Sequence, residues 1–393
     1  MDETEKSDGM AQKRDLWPLA LAFVLGALVA ALLLPAFQKG ANPGEAPAGE
    51  TEAAGTSEPL DLATTFPSWN QESTSLANLV AFVQDVTDPA SPNYKEPEER
   101  IAVFDMDGTI ISERAPYYLD YMLLIHRVLD DPTHEASADT VELMEEVKSY
   151  ALRGEKNSDL SPRRRIAIAH EFAGMTPDEF HTYVRDFLDN EPVIGFDGMT
   201  YGGSLYKPML EVISYLKAND FDVWMVSACE REVVRTAVAP LGIAPDHVIA
   251  TDVAYATSDQ GDAVAHEVTM AQGEKVVLSE PLSSDKCEYT GKVLAIAREI
   301  GREPVLAFGN SSGDYAMLNY AETSGGAGFI VIADDEVREY GNAEKAAKTS
   351  QTAADESWDT FSMRDDWATI YGEGVERTEL PAVEEEVELA EAA

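Results

Sequence analysis

The chain has 393 residues, of which 29 are basic and 72 are acidic, so its formal net charge at pH 7 is −43. A surface this acidic repels polyanions, which excludes nucleic acids and anionic lipid headgroups as favoured partners. Any phosphate ester must therefore be bound where a metal ion, a lysine or backbone N–H groups make the site locally positive. The length suffices for one large domain with an inserted subdomain.

Residues 17–37 form an apolar run without a charged side chain, long enough to span a bilayer as a helix. Three basic residues precede the run and Lys39 follows it, which predicts a cytoplasmic N-terminus at residues 1–16 and the remaining chain outside. The alternative is a cleaved signal peptide, although its apolar region is normally shorter. Both interpretations place the catalytic part outside the cytoplasm, either anchored to the cell membrane or secreted.

Two further segments read as unstructured. Residues 38–62 are rich in Gly, Ala, Pro, Glu, Ser and Thr, which predicts a disordered linker. Residues 373–393 are acidic and contain few large apolar side chains, which predicts a disordered tail.

Between these ends, short apolar segments alternate with amphipathic helical patterns. The segments that predict strands are 101–110, 221–228, 304–310 and 328–334. Helical patterns precede the second and the third of them. This alternation is typical of an α/β fold with a parallel sheet that is covered by helices on both faces.

Two regions depart from the alternation. Residues 115–205 contain helix-period segments separated by Pro, Gly and Asp, which predicts a helical cap subdomain inserted after the first strand. Residues 265–281 predict a β-hairpin with its turn at Gln272–Gly273. The core then comprises residues 63–114 and 206–372.

The first strand ends in FDMDGT, which places Asp105 and Asp107 beyond its carboxyl end. Ligands of open α/β sheets bind in the crevice at this edge. Residues two apart in an extended chain point the same way, so both carboxylates can face one ligand. One can attack phosphorus while the other protonates the leaving oxygen.

Three later segments supply complementary groups. Ser227, followed by Ala228, ends the second strand, where a hydroxyl and backbone N–H groups can hold phosphate oxygens. Lys292 lies at the start of a helix that leads into the third strand. Asn310 and Asp314 follow that strand in a loop rich in Gly and Ser, and their oxygens suit Mg²⁺.

This ordered set resembles the haloacid dehalogenase superfamily, in its phosphoserine-phosphatase-like branch with a helical cap, over roughly residues 66–372. The resemblance implies a Rossmann-like core, Mg²⁺ and an aspartyl-phosphate intermediate. It implies that Asp105 is the nucleophile and a metal ligand, that Asp107 is the general acid/base and a metal ligand through its backbone carbonyl, and that Lys292 steadies the nucleophile.

Two positions depart from the family pattern. The metal loop usually carries an acid where this chain has Asn310, so either Asn310 or Asp314 is the inner-sphere ligand. Small glycines are expected after the phosphate-binding serine, but here Ala228, Cys229 and Glu230 follow. Glu230 near an anionic substrate favours a cationic substrate group or a side chain that is turned away.

Further candidates follow from their positions near these motifs. Glu113 and Arg235 are candidate substrate contacts, and Lys286 is an alternative to Lys292. Tyr117 and Tyr118 are more typical of packing in the cap than of a substrate cage, although a choline-type ligand would suit such a cage.

The two cysteines, Cys229 and Cys287, follow and precede site residues on segments that converge at one edge of the sheet. Export allows a disulfide between them, and two buried thiols are the alternative. The sequence does not decide between these.

The expected activity is hydrolysis of a small exported or extracellular phosphomonoester. A dehalogenase would need neither the second aspartate nor the metal loop, so Asp107 and the 310–314 segment argue against it. A phosphotransferase with the same residues, or a membrane-tethered binding protein without catalysis, remains an alternative. The substrate and the oligomeric state do not follow from the sequence.

Overall fold

The computed structural model describes residues 60–113, 117–153, 159–280 and 286–381. The predicted membrane segment at 17–37 and nearly all of the predicted linker lie outside these residues. Within the described ranges, no helix has the length and hydrophobicity needed to cross a bilayer.

The helices and strands follow the predicted alternation. The helices in the described residues are α1 (Leu62–Thr65), α2 (Thr74–Thr87), α3 (Leu119–Ile125), α4 (Ala138–Arg153), α5 (Leu160–Glu171), α6 (Pro177–Asn190), α7 (Lys207–Ala218), α8 (Arg231–Val238), α9 (Thr290–Glu299), α10 (Tyr315–Thr323) and α11 (Ala343–Glu356). The strands there are β1 (Ile101–Phe104), β2 (Phe196–Asp197), β3 (Asp222–Glu230), β4 (Val248–Thr251), β5 (Ala254–Thr257), β6 (Val276–Ser279), β7 (Leu306–Gly309), β8 (Ala327–Ile332), β9 (Asp359–Ser362) and β10 (Glu376–Arg377).

The main sheet has six strands in the order β4-β3-β1-β7-β8-β9, and all neighbouring pairs are parallel. The predicted α/β fold with a parallel sheet is confirmed. Strand β1 has β3 on one side and β7 on the other, so the strand order reverses there. In open α/β sheets, ligands bind beyond the carboxyl ends of the strands at such a point.

Both faces of this sheet are buried. Along β1, Ala102 and Phe104 belong to one apolar cluster, while Ile101 and Val103 belong to another. Successive side chains of a strand point to opposite faces, so the two clusters lie on the two sides of the sheet. The first contains residues of α2 and α7, and the second contains residues of α9, α10 and α11. Burial on both sides explains why the strands read as continuous apolar runs.

Helices α3 to α6 lie in a segment that we call the insert, the chain between Ile111 and Leu205. The two ends of the insert are adjacent, because Ile111 and Leu205 form an antiparallel bridge and the Ser112 N–H donates to the Ser204 carbonyl at 3.0 Å. The helical segments predicted within 115–205 are helices here. The insert thus leaves the core shortly after Asp107 and rejoins it beside the point where it left.

The predicted hairpin at 265–281 is wrong in its first strand. Strand β6 pairs antiparallel with β5, which lies upstream of the predicted segment, and Ala265–Glu267 form a 3₁₀ turn. Val268 and Met270, whose apolar character suggested a strand, are exposed and form no ladder.

The start of the predicted disordered tail is also wrong. Within residues 373–381, strand β10 pairs antiparallel with β2, and the Thr378 N–H donates to the Gly195 carbonyl at 2.9 Å. These backbone hydrogen bonds order a segment with few apolar side chains. The rest of the predicted tail, residues 382–393, lies outside the described residues.

Candidate active site

Asp105 lies directly beyond β1 and is held by its neighbours on both sides. Its backbone N–H donates to the Phe308 carbonyl at 2.9 Å, which continues the ladder to β7. The Thr109 hydroxyl donates to Asp105 Oδ2 at 3.2 Å. Burial and the charge of Asp314 raise the pKa of Asp105 to about 7, against the lowering effect of Lys292. The carboxylate is therefore fixed in place and poorly solvated.

Lys292, in the first turn of α9, joins the two carboxylates that face it. Its Nζ donates to Asp105 Oδ1 at 2.6 Å and to Asp314 Oδ1 at 2.7 Å, and the side chain is 1% exposed. Burial alone would lower the pKa of Lys292, but the two carboxylates raise it above its ordinary value. The lysine is therefore a fixed positive charge beside Asp105.

Asp314 closes the loop that follows β7. Its Oδ2 accepts from the backbone N–H groups of Asn310 and Ser311, both at 3.0 Å, while its Oδ1 accepts from Lys292. Both carboxylate oxygens are thus engaged by protein donors. Asp314 organises the loop, which leaves Asn310 as the better candidate for a metal ligand.

Asp107 differs from Asp105 in its partners. The residue is half-buried, but its Oδ1 is buried and has no hydrogen-bond partner among the described residues. Burial, followed by the charges of Asp120, Asp105 and Glu113, raises the pKa of Asp107 well above its ordinary value. This shift favours the protonated form of Asp107, the form that can donate a proton.

Glu113 connects the metal loop to two other parts of the fold. Its Oε2 accepts from Asn310 Nδ2 and from Lys345 Nζ, both at 3.2 Å, and its Oε1 accepts from the Tyr118 hydroxyl at 2.8 Å. Glu113, a predicted substrate contact, lines a cavity that Asp105 and Lys292 also line, and it already has these partners. Its bond to the Asn310 amide nitrogen leaves the amide oxygen as the group for a cation.

The residues at this end of the cavity fit a magnesium ion. Asp105, Glu113 and Asp314 are buried and Asp107 is half-buried. Among the described residues, the cations that contact these carboxylates are Lys292 and Lys345. This excess of carboxylates, together with the unpartnered oxygen of Asp107, favours a further cation. Carboxylate, carbonyl and amide oxygens are the ligands that Mg²⁺ prefers.

The phosphate-binding candidates on β3 divide into two groups. Ala228 and Cys229 line the cavity, whereas Ser227 is fully buried and its Oγ accepts from the Cys229 N–H at 3.1 Å. Strand β3 also continues to Glu230, beyond the end predicted for it. The Ser227 hydroxyl therefore shapes the backbone that faces the cavity and is not part of the cavity wall.

Two cationic candidates lie elsewhere. Arg235 is not at the cavity: its Nε donates to the Pro245 carbonyl at 2.9 Å and its Nη1 to Glu232 at 2.6 Å, so its predicted substrate contact is wrong. Lys286 lines the cavity but pairs with Glu288 at 3.0 Å. Lys292, and not Lys286, is the lysine that contacts Asp105.

A family model for haloacid dehalogenase-like hydrolases matches residues 102–319, which is more than half of the chain. The chain belongs to this family. The predicted resemblance is thereby confirmed at the level of the superfamily.

Solved structures of several proteins are similar to this haloacid dehalogenase-like hydrolase. A protein of unknown function from Bordetella pertussis Tohama I is 16% identical, with a TM-score of 0.44, over 67% of this chain and 98% of that chain. A phosphoserine phosphohydrolase-like protein from Francisella tularensis subsp. tularensis SCHU S4 is 17% identical, with a TM-score of 0.36, over 64% and 92%.

A probable phosphoserine phosphatase from Vibrio cholerae is 15% identical, with a TM-score of 0.34, over 68% of this chain and 61% of that chain. No curated protein matches this chain.

In this hydrolase, a buried charge cluster joins the insert to β3. The Arg164 guanidinium, on α5, lies 2.9 Å from Asp120 on α3 and 3.9 Å from Glu230. Burial and the charge of Asp120 raise the pKa of Glu230 to about 8, and these effects outweigh the opposing charge of Arg164. Glu230 faces Arg164 and is not among the residues that line the cavity, which is one of the two outcomes expected for it.

The same cluster contains a set of possible metal ligands. Ligand atoms of Asp120, Cys229 and Glu230 lie within 4.8 Å of one another. Arg164 contacts both carboxylates, and a pKa of about 8 favours the protonated form of Glu230 at neutral pH, so the cluster has little need of a metal ion.

Of the two alternatives left open for the cysteines, the structure shows the second: Cys229 and Cys287 are buried free thiols. Their segments do converge: the Thr251 hydroxyl donates to the Ala228 carbonyl at 2.8 Å and accepts from the Cys287 N–H at 3.1 Å. The side chains nevertheless remain unbonded.

Sequence reasoning missed Arg164, Asp120 and Lys345. A signal was present for Arg164, because three arginines in a row (163–165) are unusual in so acidic a chain. Asp120 was equally visible as an acid within an apolar and aromatic stretch. Lys345 had no signal, since its meeting with Glu113 depends on the tertiary fold.

Proposed function

We propose that this hydrolase cleaves phosphomonoesters and that Asp105 is its nucleophile. The observation that carries the proposal is the buried Asp105–Lys292–Asp314 ion pair set beside a second, differently tuned carboxyl group, Asp107. Asp105 contacts a fixed ammonium, whereas Asp107 Oδ1 has no hydrogen-bond partner among the described residues, and such different surroundings suit a nucleophile and a general acid.

In the first step, a carboxylate oxygen of Asp105 forms a bond to phosphorus, and the bond from phosphorus to the ester oxygen breaks. The leaving alkoxide takes the proton of Asp107, whose raised pKa favours the protonated form that this step requires. The Lys292 ammonium, fixed at 2.6 Å from Asp105, stabilises the negative charge that develops around phosphorus.

In the second step, the Asp107 carboxylate accepts a proton from water while the water oxygen bonds to phosphorus. The bond between phosphorus and Asp105 breaks, which releases inorganic phosphate and restores the Asp105 carboxylate. A Mg²⁺ ion held by Asp105, the Asp107 carbonyl and Asn310 would supply positive charge against the phosphoryl oxygens.

The test is hydrolysis of an aryl phosphate by the full chain with and without Mg²⁺, comparing the parent protein with Asp105→Asn. We expect metal-dependent turnover that Asp105→Asn lowers by at least a thousandfold. The exposed Asp259→Asn is the matched control and should retain the parent rate. No turnover with any divalent metal by the folded chain would favour the alternative, a non-catalytic binding protein.

The aspartyl-phosphate step has its own readout. If every substrate forms the same phosphoenzyme, water and an added alcohol compete for its phosphoryl group. The ratio of inorganic phosphate to phosphorylated alcohol is then the same for every leaving group. A ratio that changes with the leaving group contradicts the covalent intermediate. A ratio strongly in favour of the alcohol supports the phosphotransferase alternative, which uses the same residues.

We further propose that the substrate lies outside the cytoplasm. This part rests on the apolar run at 17–37, which is outside the described residues. Protease accessibility of the chain in intact cells and in lysed cells tests it, and protection in intact cells would contradict it.

A further inference from the structure

The side-chain amide of Asn310 is held at its nitrogen. This nitrogen donates to Glu113 Oε2 at 3.2 Å, and it packs so closely against Gly108 that a Cβ at position 108 would overlap it. The nitrogen therefore has a fixed place between the glycine and the carboxylate. The amide oxygen, which is the atom left for a metal ion, is oriented as well, because both atoms belong to one planar group.

Lys345, near the start of α11, determines which side of this amide faces Glu113. Its Nζ lies 3.2 Å from the same Oε2 that accepts from Asn310. An ammonium group can only donate, so Oε2 acts as an acceptor, and an acceptor selects the NH₂ side of the amide. The Tyr118 hydroxyl donates to the other oxygen, Glu113 Oε1, at 2.8 Å. Donors thus hold both oxygens of the carboxylate.

Lys345 does not belong to the lining of the catalytic cavity. Glu113 and Asn310 line that cavity and also a second one of about 480 Å³, and Lys345 lines the second. The Lys345 side chain is 38% exposed, whereas that of Glu113 is 7% exposed. Lys345 therefore reaches the metal loop through Glu113.

Mg²⁺ and Ca²⁺ differ in how much they depend on a fixed oxygen. Mg²⁺ requires nearly octahedral oxygens at about 2.0–2.1 Å, whereas Ca²⁺ accepts about six to eight oxygens at about 2.3–2.6 Å in flexible arrangements. The second carboxylate of the loop, Asp314, already uses both oxygens for protein donors, which limits the number of ligands for the larger ion. Loss of a fixed amide oxygen would therefore weaken Mg²⁺ binding more than Ca²⁺ binding.

We propose that Lys345 is a positioning residue for the metal site, and that it makes the site prefer Mg²⁺ to Ca²⁺ by fixing the Asn310 amide through Glu113. The inference rests on the magnesium site of the proposed function and names residues that set its selectivity. Groups that orient a ligand without touching the ion commonly change metal affinity by about 10- to 100-fold.

The test measures the dissociation constants of Mg²⁺ and of Ca²⁺ for the full chain by isothermal titration calorimetry without substrate. Lys345→Met should lower the ratio of the Ca²⁺ constant to the Mg²⁺ constant about tenfold. Removing a positive charge also strengthens the attraction for a cation, but the two ions carry equal charges, so this effect cancels in the ratio. An unchanged ratio would overturn the inference.

A matched control and a conservative variant show whether the effect belongs to position 345. Lys348→Met lies one turn further along α11, is exposed and is outside the lining of both cavities, so it should keep the parent ratio. Lys345→Arg keeps a charged group that only donates, and it should retain most of the preference for Mg²⁺. Equal losses in Lys345→Met and Lys348→Met would contradict a specific role.

Glu113→Gln tests the same contact in a chain that retains Lys345. The glutamine amide can donate as well as accept, so it no longer selects one side of the Asn310 amide, and the ratio should fall as in Lys345→Met. A parent ratio in Glu113→Gln would overturn the inference.

The parent protein separates this inference from the proposed function. Mg²⁺ binding and Mg²⁺-dependent turnover by the parent, with an unchanged ratio in Lys345→Met, overturn the inference and leave the phosphatase proposal standing. Absence of both Mg²⁺ binding and turnover in the parent overturns the proposed function and the inference together.

Discussion

Replacing Lys292 by methionine removes an ammonium group while nearly preserving the length and apolar volume of the side chain. The lysine is 1% exposed and contacts Asp105 and Asp314 at 2.6 and 2.7 Å. Lys292→Met leaves two buried carboxylates facing each other without a cation. Breaking a buried ion pair by removing one partner costs about 3–5 kcal/mol, and we expect Lys292→Met to lose that much unfolding free energy.

The measurement is urea unfolding at neutral pH without divalent metal, followed by circular dichroism. Lys286→Met is the matched control: Lys286 also lines the cavity and pairs with one carboxylate at 3.0 Å, but it is 35% exposed. An exposed pair contributes about 0–1 kcal/mol, so the control should change stability little.

A second variant separates charge from packing. Adding Asp105→Asn to Lys292→Met leaves one unpaired carboxylate in place of two, so the double variant should recover part of the lost stability. Equal stability losses for Lys292→Met and Lys286→Met would refute the reasoning. Lack of any recovery in the double variant would show that packing, and not charge, explains the loss.

Three further outcomes are expected. The pKa of Glu230 is about 8 in the folded state and ordinarily 4.5, so between these two pH values the folded state retains a proton that the unfolded chain releases. The unfolding free energy should therefore fall as the pH rises from 4.5 to 8, by up to about 1.4 kcal/mol per pH unit. Glu230→Gln should make the unfolding free energy less dependent on pH in this range. Gly108→Ala, at φ +81° and against the metal loop, should cost more than the roughly 1–2 kcal/mol of Gly374→Ala, at φ +79° in open space; equal costs would contradict this. Thiol titration of unreduced, denatured chain should find both Cys229 and Cys287, whereas finding none would restore the disulfide.

Much of the core was predictable because its signals are local. The position of a residue that directly follows a strand is set by the end of that strand. The predicted ends of β1 and β7 therefore placed Asp105 and Asn310 at one edge of the sheet. The order of motifs along the chain then identified Lys292. Parallel strands carry all their carboxyl ends at the same edge, which makes this kind of prediction robust.

The remaining features depend on contacts between distant segments. Strand β5 was missed because a short two-stranded sheet carries little apolar periodicity. Strand β10 was missed because its contacts, the pairing with β2 and the approach of Arg377 to the Tyr340 ring, are with distant segments. The predicted substrate contact of Arg235 also failed because it depended on how distant segments pack. Its position after Ser227 suited a ligand contact, but α8 directs its guanidinium toward Pro245 and Glu232.

The hydrogen bond between Asn310 and Glu113 also constrains how this protein can evolve. Asn310 donates to Glu113 at 3.2 Å, so an aspartate at 310 would bring two carboxylates into contact beside the cavity. The asparagine that departs from the family pattern is thus a partner of this particular glutamate. Among descendants of this chain, reversion of position 310 to aspartate should be tolerated only after position 113 has lost its acid, and the two positions should change together.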